Sequence, residues 1–337
     1  MVDKAARFLQ RQWRSFTPWH LILVPLSWLF AAASALRRLF YRLHLLRSRR
    51  LPVPVIVIGN ISVGGTGKTP LVIWLAEQLL ERGWHPGIIS RGYGGQASST
   101  QQVASGSDPE TAGDEPVLLA QSLPCPVWIG RNRPAAGLAL LAAYPATDVI
   151  ISDDGLQHLA LARHCEIAVV DAARGFGNGR LLPAGPLREP VKRLHDVDAV
   201  VVNQTNAVAP VFPVGYPYHT MHFVGETFRN LKSPEKSALA ADFYGQTLHA
   251  VAGIGHPQRF FDQLAALGLS CIAHAFPDHH KYLAHELNFP GIIIMTEKDA
   301  VKCQAIATEK MWVLPVRAEL GPDLMPLILA KLGNHHG

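Results

Sequence analysis

The chain has 337 residues, 48% of them hydrophobic, which excludes a disordered protein and leaves room for two domains. Its formal net charge is +5, but residues 1–50 hold ten Lys and Arg and one acid. That segment contributes +9 and the remainder −4, so the basicity does not indicate a nucleic-acid-binding body, and no nucleic-acid partner is expected. The four cysteines form no C-x-x-C pair, which argues against a zinc site or a disulfide framework.

Residues 1–50 predict a membrane-associating segment. No residue between Arg14 and Arg37 is charged, and roughly 20 helical residues can just cross a bilayer core of about 30 Å. Basic residues flank this stretch on both sides, however, and Pro25 is expected to interrupt a spanning helix. We therefore expect residues 18–36 to form an interfacial hairpin or helix, with arginines on anionic headgroups. A spanning helix and a segment packed on the body are the alternatives.

Residues 51–70 predict a phosphate-binding loop. Val53 to Ile58 is a β-branched apolar run typical of a buried strand, and glycines, Lys68 and Thr69 lead from it into a helical pattern. In such a loop the lysine reaches the β- and γ-phosphates of ATP and the Thr hydroxyl binds Mg²⁺. The predicted nucleotide-binding residues are Ser62, Val63, Gly64, Gly65, Thr66, Gly67, Lys68 and Thr69. Ser62 stands where the general pattern has its first Gly, and a plain Gly-rich turn is the alternative.

Two polar sites follow the next elements. Arg91 ends the strand predicted at 88–90, where ligands collect in open α/β sheets, so it is a candidate phosphate contact or else a surface Arg. Asp114 and Glu115 precede a helical run. Spacing alone favours helix N-capping for these two acids and leaves a catalytic role open.

An apolar strand that ends in Asp153 and Asp154 predicts a Walker-B-like metal site. Carboxylates downstream of a phosphate loop are suitable ligands for Mg²⁺, which prefers hard oxygen donors and keeps several waters. A β-turn is the alternative, since Asp-Asp-Gly favours turns. Gln157 and His158 lie just beyond and are expected to line the same cleft. Arg188 and Glu189 close a long Gly-, Pro- and Arg-rich loop, which is usually functional at this length.

Repeated strand–helix units predict an α/β fold, a doubly wound parallel sheet of the P-loop NTPase type with a second, smaller α/β domain. We place the core at 51–205, a linker at 206–225 and the smaller domain at 226–337. In the smaller domain, Asp278-His279-His280 forms a loop between a strand and a helix. Solvated histidines are the plain interpretation, and a catalytic role requires the loop to face the phosphate site.

Eight segments together resemble one known family. They are GNISVGGTGKTP (59–70), SRGYGG (90–95), GDEP (113–116), SDDGLQH (152–158), LLPAGPLREP (181–190), GIGHPQRF (253–260), FPDHHKY (276–282) and TEKDAVK (296–302). In this order they are similar to the tetraacyldisaccharide 4′-kinases, the lipid A 4′-kinases of Gram-negative bacteria. The resemblance covers nearly the whole chain, and the family shares the Ser62 departure.

The resemblance implies transfer of phosphate from ATP, with Mg²⁺, to the 4′-hydroxyl of a tetraacylated glucosamine disaccharide 1-phosphate. It implies Lys68 and Thr69 as the phosphate-loop pair, with Asp153 and Asp154 on the metal side. Asp114 would be the base, paired with a histidine of the DHH segment, for which His279 is preferred over His280. Substrate contacts are expected from Arg91, Gln157, His158, Arg188 and Glu189. The resemblance also implies a peripheral, monotopic enzyme on the cytoplasmic face of the inner membrane, and we expect a monomer.

Three other functions compete with this prediction. A membrane-associated regulatory NTPase would need a signature lysine before the paired glycines, where this chain has Val63. A non-catalytic nucleotide-binding adaptor would need neither Asp114 nor His279. Another small-molecule kinase could use the same loop, although the apolar N-terminal segment favours a lipid acceptor.

Overall fold

Two sheets organise the chain in a computed structural model that describes residues 13, 17–93, 95, 99–204 and 217–333. The helices are α1 His20–Arg42, α2 Lys68–Glu81, α3 Pro109–Ala112, α4 Asp114–Ser122, α5 Arg133–Ala143, α6 Pro257–Ala266, α7 Glu297–Cys303 and α8 Met325–Gly333. The strands are β1 Val55–Gly59, β2 Pro86–Ser90, β3 Gln101–Val103, β4 Val127–Ile129, β5 Val149–Asp153, β6 Cys165–Asp171, β7 Ala199–Asn203, β8 His219–Val224, β9 Thr227–Asn230, β10 Ser237–Leu239, β11 Leu248–Ala252, β12 Cys271–Ala275, β13 Ile292–Thr296, β14 Met311–Leu314 and β15 Arg317–Gly321.

The larger sheet, which defines the first lobe, has the order β15-β8-β7-β6-β1-β5-β2-β4-β3. The strands from β8 to β4 run parallel, and β15 and β3 are antiparallel edges. Strand β1 is buried on both faces: Val55 and Val57 contact one core cluster, and Ile56 and Ile58 the other. This two-sided burial explains its continuous apolar run. The predicted doubly wound parallel sheet is confirmed.

The smaller sheet, which defines the second lobe, has the order β10-β9-β14-β13-β11-β12. Strands β14, β13, β11 and β12 are parallel, and β9 and β10 add an antiparallel hairpin. Helix α7 of this lobe packs against α4 of the first lobe, and its Val301 is buried in the first lobe's core. The predicted second, smaller α/β unit is therefore present, joined to the first by a packed contact.

The division of the chain between the lobes differs from the predicted domain boundaries. Of the predicted linker 206–225, residues 206–216 lie outside the described part, and β8 is a strand of the larger sheet. Strand β15 and helix α8 also return to the first lobe, although the sequence analysis assigned 226–337 to the second. The reason is that β15 pairs with β8, and a pairing between segments so distant in sequence leaves no local signal.

Helix α1 is continuous through Pro25, so the expected interruption is wrong. Proline removes one hydrogen bond, to the carbonyl four residues earlier, and here that is Leu21, which is 76% exposed. The helix is long and apolar enough to cross a membrane, and 17% of its most apolar 18-residue stretch is buried. Its inner side is attached to the body, because Ser27 Oγ donates to the Leu181 carbonyl at 2.8 Å.

Candidate active site

The phosphate-binding loop connects β1 to α2 and is held from both sides. Val63 N–H donates to the Pro186 carbonyl at 2.8 Å, and the Asn203 amide at the end of β7 donates to the Thr66 carbonyl at 3.1 Å. Gly67, with φ +88°, precedes α2, and a Cβ there would collide with the Asn203 amide. Among the described residues no side chain caps α2, so its first N–H groups are available to an anion.

The Asp154 side chain contacts both the phosphate-binding loop and the long Gly-, Pro- and Arg-rich loop that ends at Glu189. Its carboxylate lies 3.4 Å from Lys68 Nζ and 3.3 Å from Arg188 Nη1. Burial alone would raise the pKa of Asp154, but the charges of Lys68 and Arg188 lower it to about 2. The carboxylate is therefore ionised at neutral pH beside the two cations that a phosphate would also contact.

Asp153, one residue earlier, is fully buried at the end of β5. Its Oδ2 accepts a hydrogen bond from Ser90 Oγ at 3.2 Å, whereas Oδ1 has no partner among the described residues. Burial and the nearby Glu115 raise its pKa. An unpartnered buried carboxylate oxygen is costly unless a further group binds it, so Asp153 has the chemistry of a cation ligand.

A cavity of about 610 Å³ opens between helix α1 and the larger sheet. Asp154 lines it, and so do all five residues predicted to contact substrate, namely Arg91, Gln157, His158, Arg188 and Glu189. Helix α1 adds Arg37 and Arg38 to the wall, and Arg38 lies 3.5 Å from Glu189. Burial and the surrounding arginines lower the pKa of His158 to about 4, so its imidazole is neutral at pH 7.

Asp114 and His279 meet across the lobes. Asp114 is the first residue of α4 and is 3% exposed, and His279 Nδ1 lies 2.9 Å from its Oδ2 and 3.0 Å from its Oδ1. Burial would raise the pKa of Asp114, but the His279 hydrogen bond and the Lys298 charge lower it. The hydrogen bond to Asp114 in turn raises the pKa of His279. His280 points elsewhere, to Glu286 at 3.1 Å.

A second cavity, of about 380 Å³, lies between the lobes. The phosphate loop from Gly65 to Pro70 forms one wall, and the second lobe supplies the other through Gly255, Arg259 and Lys298. Gly255 approaches so closely that a Cβ there would lie 3.2 Å from Gly65 N. Nucleotide bound at the loop would therefore touch both lobes.

Several charged residues of these cavities were not predicted from the sequence. Arg131 and Arg133 line the cavity under α1, and Arg133 Nη2 donates to the Asp153 carbonyl at 2.7 Å. Lys298 and Arg259 reach the first lobe from the second. Lys298 belongs to the TEKDAVK segment and Arg259 to GIGHPQRF, so their motifs were visible, whereas their partners are distant in sequence.

Comparison with known proteins gives a consistent result. Residues 19–333 match the family model described as tetraacyldisaccharide-1-P 4′-kinase. A tetraacyldisaccharide 4′-kinase of Methylobacillus flagellatus is 54% identical over 98% of both chains, and one of Azoarcus sp. is 53% identical over 96% of this chain and 95% of that one. The crystal structure of LpxK from Aquifex aeolicus in complex with ATP superposes with a TM-score of 0.78 at 32% identity, covering 92% of this chain and 98% of that chain. The resemblance predicted from the motifs is confirmed.

Proposed function

The chain belongs to the tetraacyldisaccharide-1-P 4′-kinase family, and from that membership we propose that it transfers the γ-phosphate of ATP to a tetraacylated glucosamine disaccharide 1-phosphate. The acceptor is the 4′-hydroxyl, and the product is lipid IVA, an intermediate of lipid A biosynthesis. One observation carries the proposal: the phosphate-binding loop and the basic cavity under the apolar helix α1 meet at Asp154. A donor site thus adjoins a site suited to an anionic, acylated acceptor.

Asp114 acts as the base in this mechanism. A sugar hydroxyl loses its proton late in phosphoryl transfer, and a carboxylate within reach accepts it, as in protein kinases. His279 donates its Nδ1 hydrogen to the Asp114 carboxylate, which fixes the carboxylate's orientation and keeps it ionised. Lys68 and the first N–H groups of α2 bind the phosphates and stabilise the charge that develops on them.

Three oxygen-donating side chains fit Mg²⁺: the Thr69 hydroxyl and the carboxylates of Asp153 and Asp154. The fit rests on the unpartnered Oδ1 of Asp153 and on the hard-donor character of this set. Within the described residues no group of three or more His, Cys, Asp or Glu forms a complete metal cage. That arrangement suits Mg²⁺, which is usually bound by one or two carboxylates together with substrate phosphates and water. When bound, it neutralises charge on the transferred phosphate.

The cavity under α1 holds the disaccharide 1-phosphate. Its arginines attract the phosphate group, and neutral His158 offers hydrogen bonds without repelling those cations. Acyl chains extend along the apolar side of α1, where Trp28 and Leu29 are 67% and 68% exposed. The enzyme works in this proposal as a peripheral protein at the cytoplasmic face of the inner membrane, where ATP is available, and the exposed apolar side of α1 supports it.

One chain is the working unit. Asp114 and His279 come from the two lobes of the same chain, as do the walls of the interlobe cavity. These described contacts within one chain support a monomer as the working unit. Light scattering of the detergent-solubilised protein, with the kinase activity of each species assayed, tests this. Activity confined to a dimer would contradict it.

Labelled-phosphate transfer tests the function. Purified protein is incubated with γ-labelled ATP, Mg²⁺ and detergent-dispersed tetraacyl disaccharide 1-phosphate, beside Lys68→Ala and Asp114→Ala. We expect label on the lipid with wild-type protein and its loss in both variants. A rate of ATP hydrolysis that does not depend on the lipid, with no labelled lipid formed, would instead identify a regulatory NTPase.

A further inference from the structure

Lys298 of the second lobe lies among three carboxylates contributed by both lobes. Its Nζ is 3.2 Å from Glu115 Oε1 and 3.8 Å from Asp114 Oδ2, both in α4 of the first lobe. It is also 3.2 Å from Asp278 Oδ1, beside His279 in its own lobe. The Lys298 side chain is only 16% exposed. A single cation is thus shared by the base Asp114 and by its two acidic neighbours.

The position of Lys298 is fixed by the start of helix α7. The helix is capped by Thr296, whose side chain accepts from Asp299 N–H at 3.2 Å. Asp299 is completely buried and accepts hydrogen bonds from Gly253 N–H at 3.0 Å and from the Tyr282 hydroxyl at 2.9 Å. These contacts anchor α7 in the second lobe, so Lys298 enters the acidic group from a rigid support.

We propose that Lys298 is a positioning residue for the Asp114–His279 pair, holding Asp114 in its proton-accepting form when the lobes are together. The proposal deepens the proposed kinase function and rests on it. Glu115 and Asp278 are the other charged groups at the pair, Lys302 of α7 faces it from further along the helix, and the Tyr93 ring packs on His279 at 5.5 Å. If Lys298 were removed, the three carboxylates of Asp114, Glu115 and Asp278 would repel one another.

The surrounding charges determine the direction in which the pKa values of the pair move when Lys298 is removed. The Lys298 charge lowers the pKa of Asp114 and also that of His279, while Asp278 raises the pKa of His279. Because burial is outweighed by its three carboxylate neighbours, the pKa of Lys298 itself is raised, and it stays charged through the physiological range. Removing the cation therefore makes the pair harder to deprotonate. The apparent pKa observed in kinetics belongs to the pair rather than to one residue.

The test is the pH profile of kcat/KM for the lipid, measured on the full-length protein. For Lys298→Met we expect the acid limb to move to higher pH and kcat at pH 7 to fall on the order of tenfold, a small part of what a positioned base contributes. Lys298→Arg keeps the charge and should restore the wild-type limb. For Asp278→Asn we expect the opposite displacement, to lower pH, a readout that does not require Lys298→Met to fold.

Lys281→Met is the matched control. Lys281 also bridges the lobes, pairing with Glu110, but its side chain is 68% exposed and has no contact with Asp114 among those described. We expect its pH profile to equal that of the wild type. A wild-type acid limb in folded Lys298→Met, or an unchanged limb in Asp278→Asn, would overturn the proposal while lipid labelling continues. Absence of lipid labelling by wild-type protein would instead overturn the kinase function itself.

Discussion

Two residues of the site adopt a left-handed backbone that non-glycine residues rarely use. Asp154 has φ +48° and His279 has φ +60°. Such conformations cost on the order of 1 kcal/mol each and persist only where surrounding contacts impose them. Asp154 directly follows β5, and His279 lies in a turn after β12. Each directs its side chain at a partner from a distant segment: Arg188 for Asp154 and Asp114 for His279. The backbone is thus shaped to present these side chains.

At this scale, replacing Asp114 by Asn removes the proposed proton acceptor while keeping the side chain's size. We expect kcat to fall by about 10²- to 10⁴-fold, with the affinity for ATP nearly unchanged, because the phosphate loop is a separate element. Steady-state kinetics and fluorescent-nucleotide binding separate the two quantities. If nucleotide affinity fell as far as kcat did, Asp114 would be acting through the fold of the site.

The same pair makes stability depend on pH. The pKa of His279 is raised in the folded protein. Its contribution to the free energy of unfolding is therefore fully present below the unfolded-state pKa of about 6.5, and it is lost as the pH rises through the folded-state pKa. We therefore expect the Tm of wild-type protein to exceed that of His279→Gln most near pH 6, and the difference to narrow on the alkaline side. Thermal unfolding at several pH values measures it. A difference that grew with pH would contradict this pairing.

The sequence indicates the candidate site residues more readily than it indicates their partners. Lys68 and Asp154 were predicted from local signals, a glycine loop and acids at a strand end, whereas His279 was implied only by the family resemblance. Lys298 and Arg131 were missed: Lys298 lies in a visible motif but its partners are distant in sequence, and an Arg just before a helix carries no distinguishing local signal. Their importance comes from contacts between segments that only the fold brings together.

Helix α1 combines an attached side with a bare one. Ser27 and Arg38 hold it to the body, whereas Trp28 and Leu29 are directed outward. The sequence predicted the apolar segment but not its continuity through Pro25. The helix continues because the carbonyl that loses its hydrogen bond, that of Leu21, lies near the exposed end of the helix. A fixed helix with an exposed apolar side is the geometry of an interfacial anchor.

Substituting both Trp28 and Leu29 by Glu tests this anchor. Burying such side chains in lipid contributes about 1.5–3 kcal/mol each, so partition onto anionic vesicles should fall at least about tenfold. Tm should be nearly unchanged, because both side chains are exposed. Sedimentation with vesicles is the measurement, and Tyr244→Glu, which changes another exposed ring in the second lobe, is the control. Equal loss of binding in the control would indicate a nonspecific charge effect.

Across the whole molecule, the lobes are joined by ion pairs as well as by the packing of α7 on α4. Arg259 of α6 pairs with Asp171, which ends β6 and is 2% exposed. Asp171 also accepts from the N–H groups of Ala173 and Arg174. The pair therefore connects the second lobe to the central part of the larger sheet, next to the phosphate loop.

Arg259→Met should lower the free energy of unfolding by about 2–3 kcal/mol, because it leaves the Asp171 carboxylate buried without its cation. Urea unfolding measures the change. The double variant Arg259→Met/Asp171→Asn should recover part of the loss, since the unpaired charge is then gone. Strictly additive losses would show that the two side chains do not act as a pair.

The return of β15 and α8 to the larger sheet has a consequence for how the protein is made. A ribosome releases the chain from its N-terminus, so the nucleotide lobe emerges long before the strand that completes it. Until residue 321 has left the exit tunnel, β8 presents an unpaired edge, and an unpaired edge invites the wrong partner. The strands of the second lobe, β9 to β14, are contiguous in sequence and all emerge before β15. A segment synthesised late therefore completes the sheet whose first strands were synthesised early.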